Sequence, residues 1–413
     1  MTKNQLKAGL LGSGFAASFH VEALKRVYSV EVDLLGVYSP TKENRERFAK
    51  EREIESFSSM DELIKEADVI HACVPPSAHE EAAVACLEAG KSVIIEKPFT
   101  GYFGDGSDSF DGDTFDRETG LEEAMKSVRA IRDAEVAAQK RALAVAEKGG
   151  SGVPGPWLKP QVFYAENWVY APAIQKEREI LEKTGGQILW IHGEEAHHGS
   201  HSKFYGIWKF SGGGSIMGKS VHPLTAALYL KKVEGRARNG EPIRPATVSA
   251  RTHAITRDSR FQDAGYLRTS YTDIEDFGAV HVTFQDGTFA DIFASELILG
   301  GVHNWLEVNA NNHRAVCNIN PNTSMQTYNP KGSQFDDIYV VEKIGTKEGW
   351  AFTSPDEDWF TGYHREMEAF YRAAANGAPP EADTQLGADT IAVVYAAYLS
   401  AARKGQEVEV PLI

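Results

Sequence analysis

The sequence predicts an α/β protein of two domains: an N-terminal Rossmann domain with a doubly wound parallel sheet, and a C-terminal α+β domain with a large, mostly antiparallel open β-sheet. Three observations support this fold class. The chain has 413 residues, whereas an ordinary domain holds roughly 150. Its first part alternates short apolar runs with amphipathic helical segments, which is typical of a parallel sheet covered on both faces. From about residue 186 one strand pattern follows another, which favours an antiparallel sheet.

The N-terminal domain is predicted to span residues 1–165. Buried-strand patterns occur in KAGLL, VEVDLLGVYS, ADVIHACVP and KSVIIEKP, with helical segments between them. The Gly/Asp-rich stretch at about 100–120 has no periodicity and indicates an insertion or a mobile loop. A long helix is expected from about Leu121 to Lys148. The Gly/Pro-rich linker GGSGVPGPWLKP then leads to the predicted strand PQVFYAENW.

The C-terminal domain is predicted to span residues 166–413. Strand patterns lie in QILWIHGEEA, ATVSARTHAI, GAVHVTFQ, TFADIFASELIL, WLEVNAN and HRAVCNI. Asp286-Gly287 supplies the tight turn of a hairpin, and helical segments return near 362–375 and 384–403. Because one face of such a sheet needs cover, we expect a homodimer or a homotetramer.

Composition and charge exclude several classes of protein. There are 58 acidic and 43 basic residues, a net charge of −15. No Lys/Arg cluster is dense enough to overcome this field, so neither nucleic acid nor an anionic membrane is an expected partner. The three cysteines match neither a disulfide framework nor a zinc motif, which fits a reducing cytosol. The first residues lack the pattern of a signal peptide and no apolar stretch approaches transmembrane length, so we predict a cytoplasmic protein.

A glycine-rich turn between the first strand and the first helix predicts dinucleotide binding. It has the form G-x-G-x-x-A and reads Gly12-Ser13-Gly14-Phe15-Ala16-Ala17. Glycines allow a tight turn and close backbone approach, and the helix N-terminus offers free N–H groups to a pyrophosphate. The alternative is a turn that serves only packing.

The end of the second strand bears on the choice between NAD and NADP. An acidic residue there would hold the ribose 2′-OH of NAD, but the strand ends without one, at Tyr38-Ser39-Pro40-Thr41-Lys42. Ser39, Thr41 and Lys42 could receive a 2′-phosphate, which slightly favours NADP. Equally, Lys42 can be an ordinary solvated charge.

Glu96-Lys97-Pro98 ends the fourth strand, at the edge where open α/β sheets bind ligands. A lysine at this position can donate to a hydroxyl or carbonyl oxygen. The alternative is a surface lysine paired with Glu96.

The run ADVIHACVPPSAHEEAAVACLEAGKSVIIEKP resembles the nucleotide domain of the Gfo/Idh/MocA oxidoreductases. Pro75 to His79 looks like the loop that these proteins place beside nicotinamide, and Glu96-Lys97-Pro98 matches their signature. The resemblance covers the first hundred or so residues well and continues more loosely to the C-terminus. It implies hydride exchange between NAD(P) and a carbinol or carbonyl carbon of a sugar, a polyol or a sugar acid.

The resemblance also implies a second catalytic element, an Asp followed four residues later by a His, after a run of three glycines. Here the segment reads GGGSIMGKSVHP, so that His222 falls on the catalytic histidine while Gly218 occupies the Asp position. This departure predicts a pocket with more room and one carboxylate fewer. Lys219 could add positive charge for an acidic sugar such as a uronate, or point to solvent.

The missing Asp keeps a second reaction type open. Some relatives hold the nucleotide tightly and use transient oxidation for elimination, epimerisation or glycoside cleavage, without net redox. A third possibility is a non-catalytic sensor that binds NAD(P), although the presence of both Lys97 and His222 counts against it.

Four further segments carry weaker signals. In the His-rich run 192–201, His198 is expected to bind substrate, and the alternative is that these residues are ordinary polar surface. A metal site is disfavoured, because alternation along a strand splits the faces that it would need. Tyr170 could stack on a sugar ring or pack between domains. The acidic loop around 105–116 lacks the spacing of an EF-hand, so no metal is predicted. Residues 213–220 satisfy the P-loop pattern, but no buried strand precedes them, and we reject an NTPase.

Overall fold

The first sheet of the protein is a parallel, Rossmann-type sheet. A computed structural model describes residues 5–147, 159–200, 202, 204–320 and 323–413. The strands of this sheet are β1 (Gln5–Leu11), β2 (Glu31–Tyr38), β3 (Glu55–Ser56), β4 (Val69–Ala72), β5 (Ser92–Glu96) and β6 (Val162–Ala165). They pair in the order β3-β2-β1-β4-β5-β6, and every pairing is parallel.

Helices cover both faces of this sheet, as the apolar runs of its strands require. They are α1 (Phe15–Leu24), α2 (Lys42–Arg52), α3 (Met60–Glu66), α4 (His79–Glu88) and α5 (Arg117–Glu147). Strand β4 is buried at all four positions, which is typical of a strand covered on both sides. Helix α5 begins four residues before the predicted Leu121, whereas Lys148 and most of the Gly/Pro-rich linker lie outside the described residues.

The second sheet is mostly antiparallel. Its strands are β7 (Ile188–Ala196), β8 (Pro245–His253), β9 (Phe277–Phe284), β10 (Phe289–Ser295), β11 (His303–Ala310), β12 (Arg314–Asn320) and β15 (Val408–Glu409). Strands β13 (Gln326–Asn329) and β14 (Gly349–Phe352) form a separate two-stranded sheet. The order in the second sheet is β12-β11-β7-β10-β9-β8-β15, and only β7 and β10 pair in parallel. The predicted fold class is therefore confirmed in both halves.

The remaining helices cover one face of the second sheet and bridge to the first. They are α6 (Asn167–Tyr170), α7 (Pro172–Thr184), α8 (Trp208–Ser211), α9 (Val221–Asn239), α10 (Glu357–Thr361), α11 (Tyr363–Asn376) and α12 (Thr384–Ala402). Helix α12 packs against both α5 and β8. Because α12, from the C-terminal part of the chain, packs against α5 of the N-terminal part, the domain boundary between residues 165 and 166 stays a prediction.

The Gly/Asp-rich segment at 100–120 is fastened to the second half of the chain rather than standing free. The Gly112 N–H donates to Asp273 at 2.8 Å, and Arg257 forms a bidentate ion pair with Asp113. The Trp208 indole N–H donates to the carbonyl of Tyr102 at 2.9 Å. These contacts, rather than the periodicity of the segment, fix its path, so the interpretation as a mobile loop is not retained.

Candidate active site

The turn after β1 has the geometry that a pyrophosphate needs. Gly12 has φ +102°, and a Cβ there would lie 2.1 Å from the Cys73 carbonyl oxygen, so only glycine fits. Gly14 is the N-cap of α1 and makes no side-chain capping bond; the space beside it is open. The first N–H groups of α1, from Phe15 and Ala16 onward, are therefore available to an anion.

The tip of β2 carries one cationic side chain that the sequence analysis did not select. Ser39 is buried and shares a hydrogen bond of 2.9 Å with Ser13 in the glycine turn. Arg45, one helical turn into α2, donates to the Ser39 carbonyl at 2.7 Å. Lys42 is largely exposed and pairs with Glu46 at 3.7 Å, and Thr41 is exposed at the N-cap of α2. The side chain of Arg45 turns back towards β2. A basic residue one helical turn after the end of that strand could have indicated this contact in the sequence.

His79 was predicted to contact the cofactor, but both of its ring nitrogens face backbone carbonyls. It is buried, with Nδ1 2.8 Å from the Pro98 carbonyl and Nε2 3.2 Å from the Val74 carbonyl. Burial lowers its pKa, which favours the neutral ring. The imidazole thus ties the loop after β4, where Pro75 is exposed, to the loop after β5. We correct its assignment from cofactor contact to support of these two loops.

A buried chain of hydrogen bonds lies behind Lys97. His20 Nε2 lies 2.8 Å from Glu96, His20 Nδ1 lies 2.8 Å from His71 Nδ1, and His71 Nε2 lies 2.8 Å from the Tyr371 hydroxyl. Burial opposes a charged imidazole, but Cys73 and Glu96 outweigh it and raise the pKa of His20, whereas burial lowers that of His71. A protonated His20 can donate to both neighbours and hold Glu96 as a carboxylate. No motif marks these histidines in the sequence.

Lys97 leaves the end of β5 and reaches the second half of the protein. Its backbone N–H donates to the Glu96 carboxylate at 3.0 Å, and its Nζ donates to the Gly218 carbonyl at 3.2 Å. Gly218 lies in a π-helical turn, Ile216–Ser220, directly before α9. Such single π-turns are frequent at functional sites. The ammonium therefore bridges the two halves.

The space at Gly218 is filled, which corrects the prediction of a roomier pocket. A Cβ at this position would lie 1.9 Å from the Tyr205 hydroxyl oxygen, so the tyrosine excludes any side chain there. The same hydroxyl donates to the Gly214 carbonyl at 3.0 Å. Tyr205 thus fills the space that a side chain at position 218 would need.

Lys219 is neither solvent-exposed nor free to attract an acidic sugar. It is only 6% exposed, its Nζ lies 3.4 Å from Glu296, and it lies 4.9 Å from the centroid of the Tyr205 ring. Glu296 also lies 3.4 Å from His197. A buried carboxylate therefore neutralises this lysine, and a role in binding an anionic substrate loses its support.

His222 forms a buried dyad with Glu166. His222 Nδ1 lies 2.5 Å from the Glu166 carboxylate, and the imidazole stacks on the Trp168 ring at 5.9 Å. Burial lowers the pKa of His222 to about 4, with Lys97 and Lys219 acting in the same direction against Glu195. Burial raises the pKa of Glu166 well above its ordinary range, although Lys97 lowers it in part. Both members therefore favour their neutral forms.

A cleft of about 420 Å³ lies over this dyad. Its lining includes Phe15 from the nucleotide side and Trp168, Glu195 and His222 from the other. Glu195 Oε2 faces His222 Nε2 at 3.8 Å, and burial raises its pKa. The gap leaves a position where a ligand hydroxyl can meet the imidazole and a carboxyl group.

His198 and Tyr170, both predicted to contact substrate, lie in different surroundings in the structure. His198 is buried and lines the cleft. Tyr170 is 1% exposed, its hydroxyl accepts a bond from Ala382 N–H at 3.1 Å, and its ring packs on Phe370. Tyr170 is therefore part of the packing between helices, and we do not retain it as a substrate contact.

The His-rich run and the acidic loop were both considered as metal sites from the sequence. Within the described ranges, no group of three or more His, Cys, Asp or Glu residues is placed to hold a metal ion. Glu195 faces the dyad whereas Glu194 faces His303 on the opposite side of the sheet, and His201 lies outside the described residues. The P-loop-like segment, residues 213–220, ends in the π-turn that directly precedes α9.

The first hundred or so residues are similar in sequence to known oxidoreductases. Residues 6–110 match the model of the GFO_IDH_MocA oxidoreductase family, NAD-binding Rossmann fold. The UDP-N-acetylglucosamine 3-dehydrogenase of Acidithiobacillus ferrooxidans is 32% identical over 95 residues, 23% of this chain and 29% of that protein. The glucose-6-phosphate 3-dehydrogenase of Bacillus subtilis is 36% identical over 92 residues, 22% and 26% respectively. The matched segments thus span less than a third of these relatives.

Solved structures extend the likeness to the whole fold. GenD2 from gentamicin A biosynthesis, in complex with NAD, superposes with a TM-score of 0.71 at 20% identity, covering 99% of this chain and 97% of the other. The myo-inositol 2-dehydrogenase of Lactobacillus plantarum gives a TM-score of 0.66 at 16% identity, covering 99% and 100%. At these identities the comparison establishes the fold alone.

Proposed function

Since its nucleotide-binding domain makes this chain a member of the Gfo/Idh/MocA oxidoreductase family, we propose that it is a dehydrogenase acting on a CH–OH group of a sugar or polyol. One observation carries the proposal. His222, paired with Glu166, lines the cleft, and Lys97, at the end of β5, lies near enough to lower the pKa of both members of this dyad. The glycine turn at Gly12 and Gly14 fits a pyrophosphate, and a bound nicotinamide would supply the hydride acceptor.

The dyad provides a path for the hydroxyl proton. With Glu166 as a carboxylate, the hydrogen of His222 lies on Nδ1 and the lone pair on Nε2 faces the cleft. When Nε2 takes the substrate proton, Nδ1 passes its own proton to Glu166. The raised pKa of Glu166 suits it to accept that proton, and no imidazolium has to persist in a site where the pKa of His222 is about 4.

Lys97 has a separate task in the same step. Its ammonium group lies where negative charge develops on the substrate oxygen as the proton leaves, and a preorganised cation stabilises that charge in a buried site. The Gly218 carbonyl accepts a hydrogen bond from this ammonium at 3.2 Å. Because Lys219 is paired with Glu296, a neutral sugar or polyol is favoured over a uronate.

The direct test is a screen of purified protein with NAD⁺ and with NADP⁺ against inositols, aldoses and their glycosides, recording reduced nicotinamide at 340 nm. We expect at least one of these compounds to be oxidised. Absence of net reduction, together with nucleotide that stays bound through purification, would instead favour elimination or epimerisation through transient oxidation.

We propose that NADP is preferred to NAD, because β2 ends without an acidic residue and Arg45 lies beside Ser39. The variant Ser39→Asp is expected to raise the Kd for NADP⁺ at least ~10-fold, since a carboxylate would repel the 2′-phosphate. The Kd for NAD⁺ should stay constant or fall. Isothermal titration of each nucleotide measures both values.

The matched control is Asn44→Asp, which adds the same charge on the exposed face of α2. It should leave both dissociation constants near those of the wild type. Tighter binding of NAD⁺ than of NADP⁺ by the wild-type protein would contradict the proposed preference.

Self-association and location stay predictions. The open face of the second sheet carries a series of rings in mutual contact: Trp190, His192, Phe289, Phe293 and Trp305. Such a face suits a second copy of the chain, which supports the expected homodimer or homotetramer. None of the helices in the described part of the chain is long and apolar enough to span a bilayer.

A further inference from the structure

A second, larger cavity of about 690 Å³ adjoins the cleft. The two share four lining residues: His198, Arg268, Val341 and Ile344. They therefore form one continuous groove, with the dyad at one end. Neither the motifs nor the proposed reaction accounts for the second part of this groove.

The walls of the second cavity are aromatic and unusually exposed. Trp350 is 74% and Tyr266 is 69% exposed, and Phe352 and Leu299 are exposed beside them. Large apolar side chains gathered at a concave surface mark ligand or partner sites. Flat aromatic faces of this kind stack on ring-shaped ligands.

The hairpin that carries Trp350 is held in place by its own contacts. The Lys347 ammonium donates to the carbonyls of Phe335, Asp336 and Ile338 at 2.6, 3.1 and 2.8 Å. On the neighbouring strand, the Tyr328 ring lies 5.6 Å from that of Trp350. The indole is thus presented by an ordered support.

Size and charge narrow the class of ligand. The 420 Å³ cleft borders both Phe15 and His222, so the nicotinamide ring and the reacting ring must share it. A further ring has to lie in the second cavity. Its lining contains one basic residue, Arg268, and one acidic residue, Glu348, and this balance of charge favours an uncharged group over a phosphate.

We propose that the substrate is a glycoside, whose oxidised sugar ring lies at the dyad and whose second, uncharged ring stacks on Trp350. This inference rests on the proposed dehydrogenase function. It differs from that function in predicting a specificity: the second ring contributes to binding and not to chemistry.

The test compares methyl and phenyl glycosides of glucose, galactose and N-acetylglucosamine, which differ only in the second ring. In the wild type we expect the phenyl compound of the accepted sugar to bind about 10-fold more tightly than the methyl compound. Trp350→Ala should remove this preference by raising KM for the phenyl glycoside about 10-fold, with kcat unchanged, as expected for uniform binding. Turnover gives KM and kcat, and isothermal titration gives Kd independently of turnover.

Tyr28→Ala is the matched control, because Tyr28 is a similarly exposed aromatic ring that lines neither cavity. It should keep the wild-type preference. Equal binding of methyl and phenyl glycosides by the wild type, or a preference that survives Trp350→Ala, would overturn the second-ring site. Trp350-dependent binding without turnover would keep the site and reject the dehydrogenase instead; absence of both binding and turnover would reject both.

Discussion

Replacing Lys97 with alanine is expected to lower turnover at least ~100-fold, the scale typical of acid–base and charge-stabilising groups. The ammonium is the cation that reaches from β5 to the Gly218 carbonyl, and its charge acts on Glu166, Glu195 and His222. Without Lys97, no cation from β5 stabilises the negative charge that develops on the substrate oxygen. Nucleotide affinity should survive, because the glycine turn is untouched; steady-state kinetics and nucleotide titration measure the two effects.

Lys91→Ala controls for the loss of a lysine from the same strand region. Lys91 precedes β5, and its Nζ donates to the carbonyls of Lys65 and Ala67, far from the cleft. This variant should keep near-native turnover. Near-native turnover in Lys97→Ala, or an equal loss in both variants, would reject the assignment of Lys97.

The fold was predictable because strand and helix periodicities are local properties of a sequence. The apolar runs of the first part of the chain form the parallel sheet, and the strand patterns of the second part form the mostly antiparallel sheet. What fixes the 100–120 segment is not local: Gly112 and Asp113 meet Asp273 and Arg257 across more than a hundred residues of chain. No window of sequence contains both partners of such a contact.

The residues of the candidate site divide in the same way, into those that a local sequence feature predicts and those that distant parts of the chain bring in. Gly12 and Lys97 were predicted from a glycine turn and a strand end, and His222 from the family resemblance. Glu166 and Tyr205 have no such feature, since they reach the site from β6 and from the chain before α8. His79 and Tyr170 show the converse: each stands in a suggestive segment, but its side chain turns towards backbone groups of the packed interior.

Two of these residues bear on the position where the resemblance implies an Asp and the chain has Gly218. Tyr205 fills the volume at Gly218, while Glu166 brings a carboxyl group to the opposite, Nδ1 side of His222. The carboxyl group is therefore not lost from the site but supplied from another element. In this position it acts on the imidazole rather than on substrate hydroxyl groups.

This arrangement sets a direction for the pH dependence. Oxidation requires the dyad in its deprotonated form, and burial raises the pKa of Glu166 above its ordinary value. The oxidation rate should therefore rise as pH increases through the apparent pKa of the pair, and the rate of carbonyl reduction should fall over the same range. Above about pH 4 His222 takes no second proton, so one titration is expected from the dyad.

Glu166→Gln is the variant that isolates this role, and it is expected to lower turnover at least ~100-fold. An amide can still accept a hydrogen bond from His222 Nδ1, so the imidazole keeps its orientation, but it cannot take up the proton. The pH dependence assigned to the dyad should disappear, whereas Glu166→Asp should retain it. Glu194→Gln is the matched control, because Glu194 contacts His303 at 3.2 Å on the outer face of the same sheet. A Glu166→Gln protein with an unchanged melting temperature, near-native turnover and the wild-type pH profile would show that His222 works without a carboxylate partner.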